Sequence, residues 1–331
     1  MMNFPQRFAV RRRITIAVVA LATLAGAGPV AAQDFPSHPL KLVVPFLAGG
    51  TADTLARMIA QGMGEQLGQT VVVDNRTGAG GTIGATSVAR STPDGYTLLL
   101  GSGSTHTTPQ VVMKTMPYNP VKDFEPIAMI GTTSYVLMVN PKLSIRTLQE
   151  LIAYGKANPG KLTYGSTGAG AAVHLAIVNL ERITGASFQH IPYRGGSQIL
   201  VDLMGGQIDF SLGTAESAAA VSAGKLRALA ILGLNRLSAM PDVPSCIESG
   251  LPNCSFPVWN AVFAPAGTAR PVMAKLTAAV EHTLAQPQTQ KRLRELGYEP
   301  GKGGPAALTQ RIVEESKLIR ETAAAAGVHP E

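Results

Sequence analysis

Leu40, Leu42, Val43 and Val44 form a short apolar run that Pro45 stops, and after Gly49-Gly50 the apolar positions change to helical spacing at Leu55, Ile59 and Met63. This pattern predicts a strand, a glycine turn and a helix. It recurs in Lys161 to Gly170, where a strand and a glycine-rich turn lead into a helix from Ala171 to about Ile183. Between these two units the periodicity predicts strands at 70–74, 96–100, 123–131 and 135–139, a helix around 85–89, and a helix over 145–157 that Asn158-Pro159-Gly160 ends. Beyond them it predicts strands ending at Pro192, over 207–212, 226–232 and 258–265, a helix over 197–204, an irregular segment over 238–257, and two closing amphipathic helices over 271–284 and 305–326.

Alternating strands and helices of this kind make an α/β fold, in which ligands lie beyond the carboxyl ends of the strands. The loops after the strands are rich in Gly, Ser and Thr. Each helix that follows opens with N–H groups that have no partner inside the helix, at the positive end of its dipole, so the turns are suited to an anion. Two such turns facing each other can hold both sides of one anion. The turn after Asn75 has no Lys-Ser/Thr pair, which excludes a P-loop.

Several residues carry two readings. Asp53 either stabilises the start of its helix, turned toward Arg57 one turn on, or touches the ligand. His174 either packs in the interior or faces the cleft, and it has no nearby carboxylate in sequence for acid-base work. Tyr193 and Arg194 end a polar turn in which Arg194 either grips a carboxylate or lies in solvent. Thr214 and Glu216 are rim candidates. Trp259, the single tryptophan, belongs either to a return crossover beside the cleft or to a core away from it.

The N-terminus reads differently. Arg7, Arg11, Arg12 and Arg13 precede an apolar run from Ile14 to Leu24 and then small residues up to Ala32, the order of a secretory signal peptide over 1–32 cut near Ala32. The run is too short for a membrane anchor. That leader holds four of the 28 basic residues and none of the 21 acidic ones, so the remainder carries +3 (24 minus 21). A charge this small, with no basic run interleaved with aromatics, gives no reason to invoke nucleic acid. Cys246 and Cys254 are the two cysteines; an oxidising compartment favours a disulfide between them, against two separate thiols or half of a metal site. No HExxH, no Gly-x-Ser-x-Gly elbow and no recognisable Ser-His-Asp set is present, so the expectation is a protein that is not an enzyme and needs no cofactor or metal.

The order of motifs resembles the periplasmic solute receptors of tripartite tricarboxylate transporters, the Bug family. The resemblance is carried by Pro45-Phe46 with Gly49-Gly50 and Asp53, Asp74-Asn75-Arg76 with Gly78-Ala79-Gly80-Gly81, Gly165-Ser166 with Gly168, Gly170 and His174-Leu175, Pro192-Tyr193 with Gly195, Asp202-Leu203 with Gly205-Gly206-Gln207, and Phe263 to Thr268. It implies the type II periplasmic binding-protein fold, a Venus flytrap of two α/β domains joined by a hinge with the ligand cleft between them. On this chain the expected domains are 33–136 with 257–304, and 137–256, with 305–331 unassigned; the expected state is a monomer. The implied role is to capture a small organic acid, a mono-, di- or tricarboxylate or acidic amino acid, and deliver it to the membrane subunits of a transporter, with a membrane sensor as the alternative partner. The implied carboxylate loops are Phe46, Ala48, Gly49, Gly50 and Thr51, and Thr167, Gly168, Ala169, Gly170 and Ala171, with Ser102, Ser104 and Thr105 on the rim. Valine at Gly50 or Gly170 is expected to abolish binding and leave the fold.

Overall fold

The computed structural model describes residues 35–193, 196–325 and 327–328, and the signal-peptide expectation lies outside them. From His38 onward the chain is one compact unit.

Strands β1 (Leu40–Val44), β2 (Val71–Asn75) and β3 (Thr97–Ser102) lie parallel in the order β2-β1-β3. Helices α1 (Thr51–Leu67) and α2 (Thr82–Ala89) follow β1 and β2, as hydrophobic spacing requires, and α1 buries Leu55, Ile59 and Met63 before Gly68 ends it in the left-handed conformation at φ 67°. Two short helices, α3 (Gly103–His106) and α4 (Pro109–Val112), come after β3.

The two runs expected at 123–131 and 135–139 are one strand, β4 (Phe124–Val139), because the Gly131-Thr132-Thr133-Ser134 stretch between them stays paired with Asn260, Trp259, Val258 and Pro257. It ties the sheet together: Phe124 to Ser134 pair antiparallel with β9 (Pro257–Pro265), whereas Tyr135 to Val139 pair with β7 (Phe210–Gly213) and β8 (Arg227–Leu232). Beyond β7 lie β5 (Thr163–Ser166) and β6 (Gln189–Pro192), parallel to each other. Helices α5 (Leu148–Ala157), α6 (Ala172–Thr184), α7 (Gly196–Gly205) and α8 (Ala218–Ser222) belong to this half of the sheet. Thr147 caps α5 by accepting the Glu150 N–H at 3.1 Å, and that sets the helix start three residues later than Ile145.

The chain closes with three helices instead of two: α9 (Arg270–Ala285), α10 (Pro287–Glu295) and, after the two-residue strand β10 (Glu299–Pro300), α11 (Pro305–Ala325). Pro287 breaks α9 from α10 by occupying a helix N1 position. The last helix joins two cores, since Leu308 and Ile312 pack with Val43, Leu99, Trp259 and Phe263, whereas Ile319 and Ala323 pack with Leu137, Tyr164 and Phe210. Among the described residues no helix is long and apolar enough to cross a membrane. Cys246 and Cys254 form a disulfide with their Cα atoms 6.2 Å apart, inside the irregular segment before β9.

Candidate functional site

The turn between β1 and α1 is held from below. Gly49 adopts φ +85°, a left-handed conformation that glycine takes without strain, and its N–H donates to Asp53 Oδ2 at 3.0 Å. Asn75 Nδ2 donates to the Phe46 carbonyl at 3.1 Å and to Asp53 Oδ1 at 3.0 Å, and Arg57 adds a two-pronged contact at 2.9 and 3.1 Å. These donors, Arg57 first, hold the Asp53 carboxyl at about 2 against the opposing effect of burial. Asp53 is buried and turned away from solvent. The helix-start reading describes its position. What α1 presents outward is Gly50, Thr51 and Ala52.

The turn between β5 and α6 has the same plan. Gly168 and Gly170 take φ +123° and +74°, and the Gly170 N–H donates to His174 Nδ1 at 3.0 Å. Ser166 Oγ bonds the Gly168 carbonyl at 3.0 Å and His190 Nε2 at 2.7 Å. Burial, reinforced by His190, pulls the His174 ring down to about 4, so the ring is neutral and its Nδ1 is an acceptor at neutral pH. The third turn, after β3, is fixed by Thr105, whose buried Oγ1 accepts the Ser102 N–H at 2.9 Å.

These turns open on two adjoining cavities of about 430 and 550 Å³ that share Phe46, Ser104, Thr108, Tyr135 and Ala172 as wall. Of the sequence candidates, Gly50, Thr51, Ser102 and Thr214 line the first, Thr167, Ala169, Gly170 and Ala171 the second, and Phe46 and Ser104 both. Ala48, Gly49, Asp53, Thr105, Gly168 and His174 stand behind these walls or beside them, where Asp53, Thr105 and His174 fix the turns. Tyr193 donates its hydroxyl to Asp202 at 2.9 Å and lines neither cavity. Arg194 lies outside the described residues.

Residues from distant parts of the sequence complete the first cavity: Phe256, Val258, Trp259, Asn260, Tyr298 and Glu315 join Glu216 there. Trp259 is fully buried and donates Nε1 to Glu315 Oε2 at 2.7 Å, which places it on the cavity wall and not in a core remote from the cleft. Thr107 Oγ1 donates to Glu315 Oε1 at 2.7 Å, and Tyr298 donates to Asn260 at 2.8 Å. Strand pairing of Thr132 with Trp259 brings β9 here, but nothing in the pattern of α11 marks Glu315 as a wall residue. Burial pushes the Glu315 carboxyl up, against the pull of its two donors. No Lys, Arg or His occurs among the described wall residues. Among the described residues no cluster of His, Cys, Asp and Glu is placed to hold a metal.

Helix N-termini from both halves of a shared sheet, opening on adjoining cavities, make a binding site suited to a small anion. A sequence profile described as the tripartite tricarboxylate transporter family receptor matches residues 55–326, and the chain belongs to that family. A UPF0065 protein of Bordetella pertussis is 41% identical over 294 residues, 88% of this chain and 90% of that protein. The structure of Rpa4515 from R. palustris with adipate superposes at a TM-score of 0.81 with 34% identity, covering 90% of this chain and 100% of the other. That of the periplasmic binding protein BugD gives 0.78 and 35%, covering 90% of this chain and 100% of the other. The protein is therefore a solute-binding receptor of the tripartite tricarboxylate transporter family.

Proposed function

We propose that this receptor captures a small organic carboxylate between two lobes and delivers it to the membrane subunits of its transporter. The observation that carries the reading is the convergence of the α1 and α6 N-termini on adjoining cavities whose described walls hold no cation. An anion there is bound by backbone N–H groups and helix ends. Phe46, Gly50, Thr51, Ser104, Thr167, Ala169, Gly170 and Ala171 are the proposed contacts. Adipate in Rpa4515 supports the ligand class.

The proposed lobes are residues 33–136 with 257–304, and 137–256. Their boundaries fall beside Ser134 and Pro257, where β4 changes partner from β9 to β7 and β8. In this reading α11 spans the hinge, the chain is exported by cleavage near Ala32, acts as a monomer in the periplasm, and catalyses no reaction. Mass spectrometry of ligand retained by gently purified protein tests the proposal. A co-purified carboxylate that rebinds after removal is the expected result, and a ligand without any acidic group would contradict it.

A further inference from the structure

The cavity that carries the α1 turn also holds an acid on its wall. Glu315 lies on the wall of the 430 Å³ cavity with its side chain 12% exposed, and the nearest cation, Arg311, stands 4.0 Å away on the same helix and lines neither cavity. Each Glu315 oxygen accepts one short bond, from Trp259 and from Thr107, and a carboxylate offers about four acceptor sites. Half its capacity is thus free. An ideal Cβ at Gly103 would stand 2.9 Å from Oε1, so the carboxylate presses against the start of α3. On the same wall, Ser102 is 7% exposed and its hydroxyl donates to no acceptor among the described residues. Glu216 adds a second acid at the rim.

Building on the carboxylate reading above, the geometry points to Glu315 as the residue that reads the far end of the ligand, selecting an acid that ends in an ammonium group over one that ends in a second carboxylate. A second carboxylate there faces a negative charge that Arg311 at 4.0 Å and two neutral donors offset only in part, and like charges in a poorly solvated wall repel at an effective dielectric of about 20. An ammonium fills the free acceptor sites of Glu315, while a hydroxyl or carbonyl beside it can take the Ser102 hydroxyl. Phe46, Tyr135 and Phe256 supply apolar surface for the methylenes between the two ends. The family relative solved with adipate binds a dicarboxylate; this assignment sets the present chain apart from it.

The test is calorimetry on the mature chain with length-matched pairs: γ-aminobutyrate against succinate, δ-aminovalerate against glutarate, and ε-aminocaproate against adipate. The amino acid of at least one pair should bind about tenfold or more tightly than its dicarboxylate, and Glu315→Gln should reduce that ratio to near one. Equal affinity within every pair, tighter binding of the dicarboxylates, binding of neither member of any pair, or an unchanged ratio in the variant overturns the assignment. The wild-type ratio decides by itself should the variant fold poorly. The methyl ester of the tightest amino acid separates the two levels: an ester that binds as well as its acid contradicts the carboxylate reading itself, whereas a lost ester with equal pairs contradicts only the role of Glu315.

Discussion

Gly170 donates its amide to His174 Nδ1 at 3.0 Å, and in the opening unit Gly49 donates to Asp53 Oδ2 at the same distance, in both cases four residues on. In each half of the sheet a side chain from the first turn of the helix reaches back and fixes the glycine turn before it. The first amides of each helix have no partner inside the helix, and a donor array fixed in this way loses little entropy on binding.

The His174 contact makes the second turn sensitive to acid. Protonation of Nδ1 removes the acceptor that Gly170 uses. Burial lowers the ring from 6.5 to about 4, so the neutral form belongs to the folded loop, and its contribution is complete above 6.5 and lost as pH falls through about 4. Affinity for an acid that stays ionised throughout should hold near neutral pH and fall only as pH passes down through about 4, followed by calorimetry. His174→Asn keeps an acceptor that does not titrate and should flatten the profile; a wild-type profile that stays flat as pH passes down through about 4 contradicts the role given to this contact.

The Asp53 cluster works with the opposite charge. Its carboxyl is held at about 2 from a usual 3.8, so the stability it gives is present above 3.8 and lost as pH falls through about 2. Arg57 is 58% exposed, which weakens the pair by solvent screening. Asp53→Asn should lower unfolding stability by about 1–2 kcal/mol, chiefly through the Gly49 and Arg57 bonds. Urea denaturation at neutral pH measures this, and a variant as stable as the parent would show that the turn does not depend on the carboxylate.

The two cleft glycines part company. Gly50 has φ −81°, and a Cβ there would meet only the Leu47 carbonyl at 3.7 Å, so Gly50→Val should keep the melting temperature within a few degrees and lose at least about tenfold in affinity as the side chain covers the α1 amides. Gly170 has φ +74°, and a Cβ would fall 1.9 Å from Val112 Cγ1, so the expectation that valine leaves the fold intact is corrected there. Gly170→Val should destabilise by about 2 kcal/mol or more, and thermal melting beside calorimetry separates the two effects. Normal binding by Gly50→Val would remove the α1 terminus from the site.

The disulfide closes an eight-residue separation in the longest irregular segment of the described chain, beside Phe256 on the cavity wall. Cys246→Ala with Cys254→Ala should cost about 2–3 kcal/mol by the loop-entropy account. Thiol labelling of the denatured, non-reduced protein should find no free cysteine; two labelled thiols would contradict the bond.

Local signals made much of this legible. The strand–glycine–helix units at Val44 and Ser166 were readable because hydrophobic period and turn chemistry change within a few residues, and they supplied the wall from Gly50 and from Gly170. The rest depends on long-range pairing. Trp259 and Asn260 reach the cleft because β9 lies between β3 and β4, and Glu315 because α11 crosses both cores. A helix period shows which face is buried without showing that one acid on its edge meets an indole 56 residues earlier. Asp53 turns toward Arg57 as the first-turn reading has it, and His174 is buried, but the bonds by which both hold the glycine amides of their turns have no signature in sequence.

Capture of a carboxylate by the two helix ends can be read from Trp259, the one tryptophan, buried on the cavity wall and bonded to Glu315. Its emission should be titrated with small carboxylates and with the primary amide of each. The expected result is a saturable change for at least one acid, with the matching amide weaker by about a hundredfold because it loses the charge-assisted bonds to the helix ends. An amide that saturates the signal at the same concentration as its acid would contradict capture of a carboxylate by these two turns.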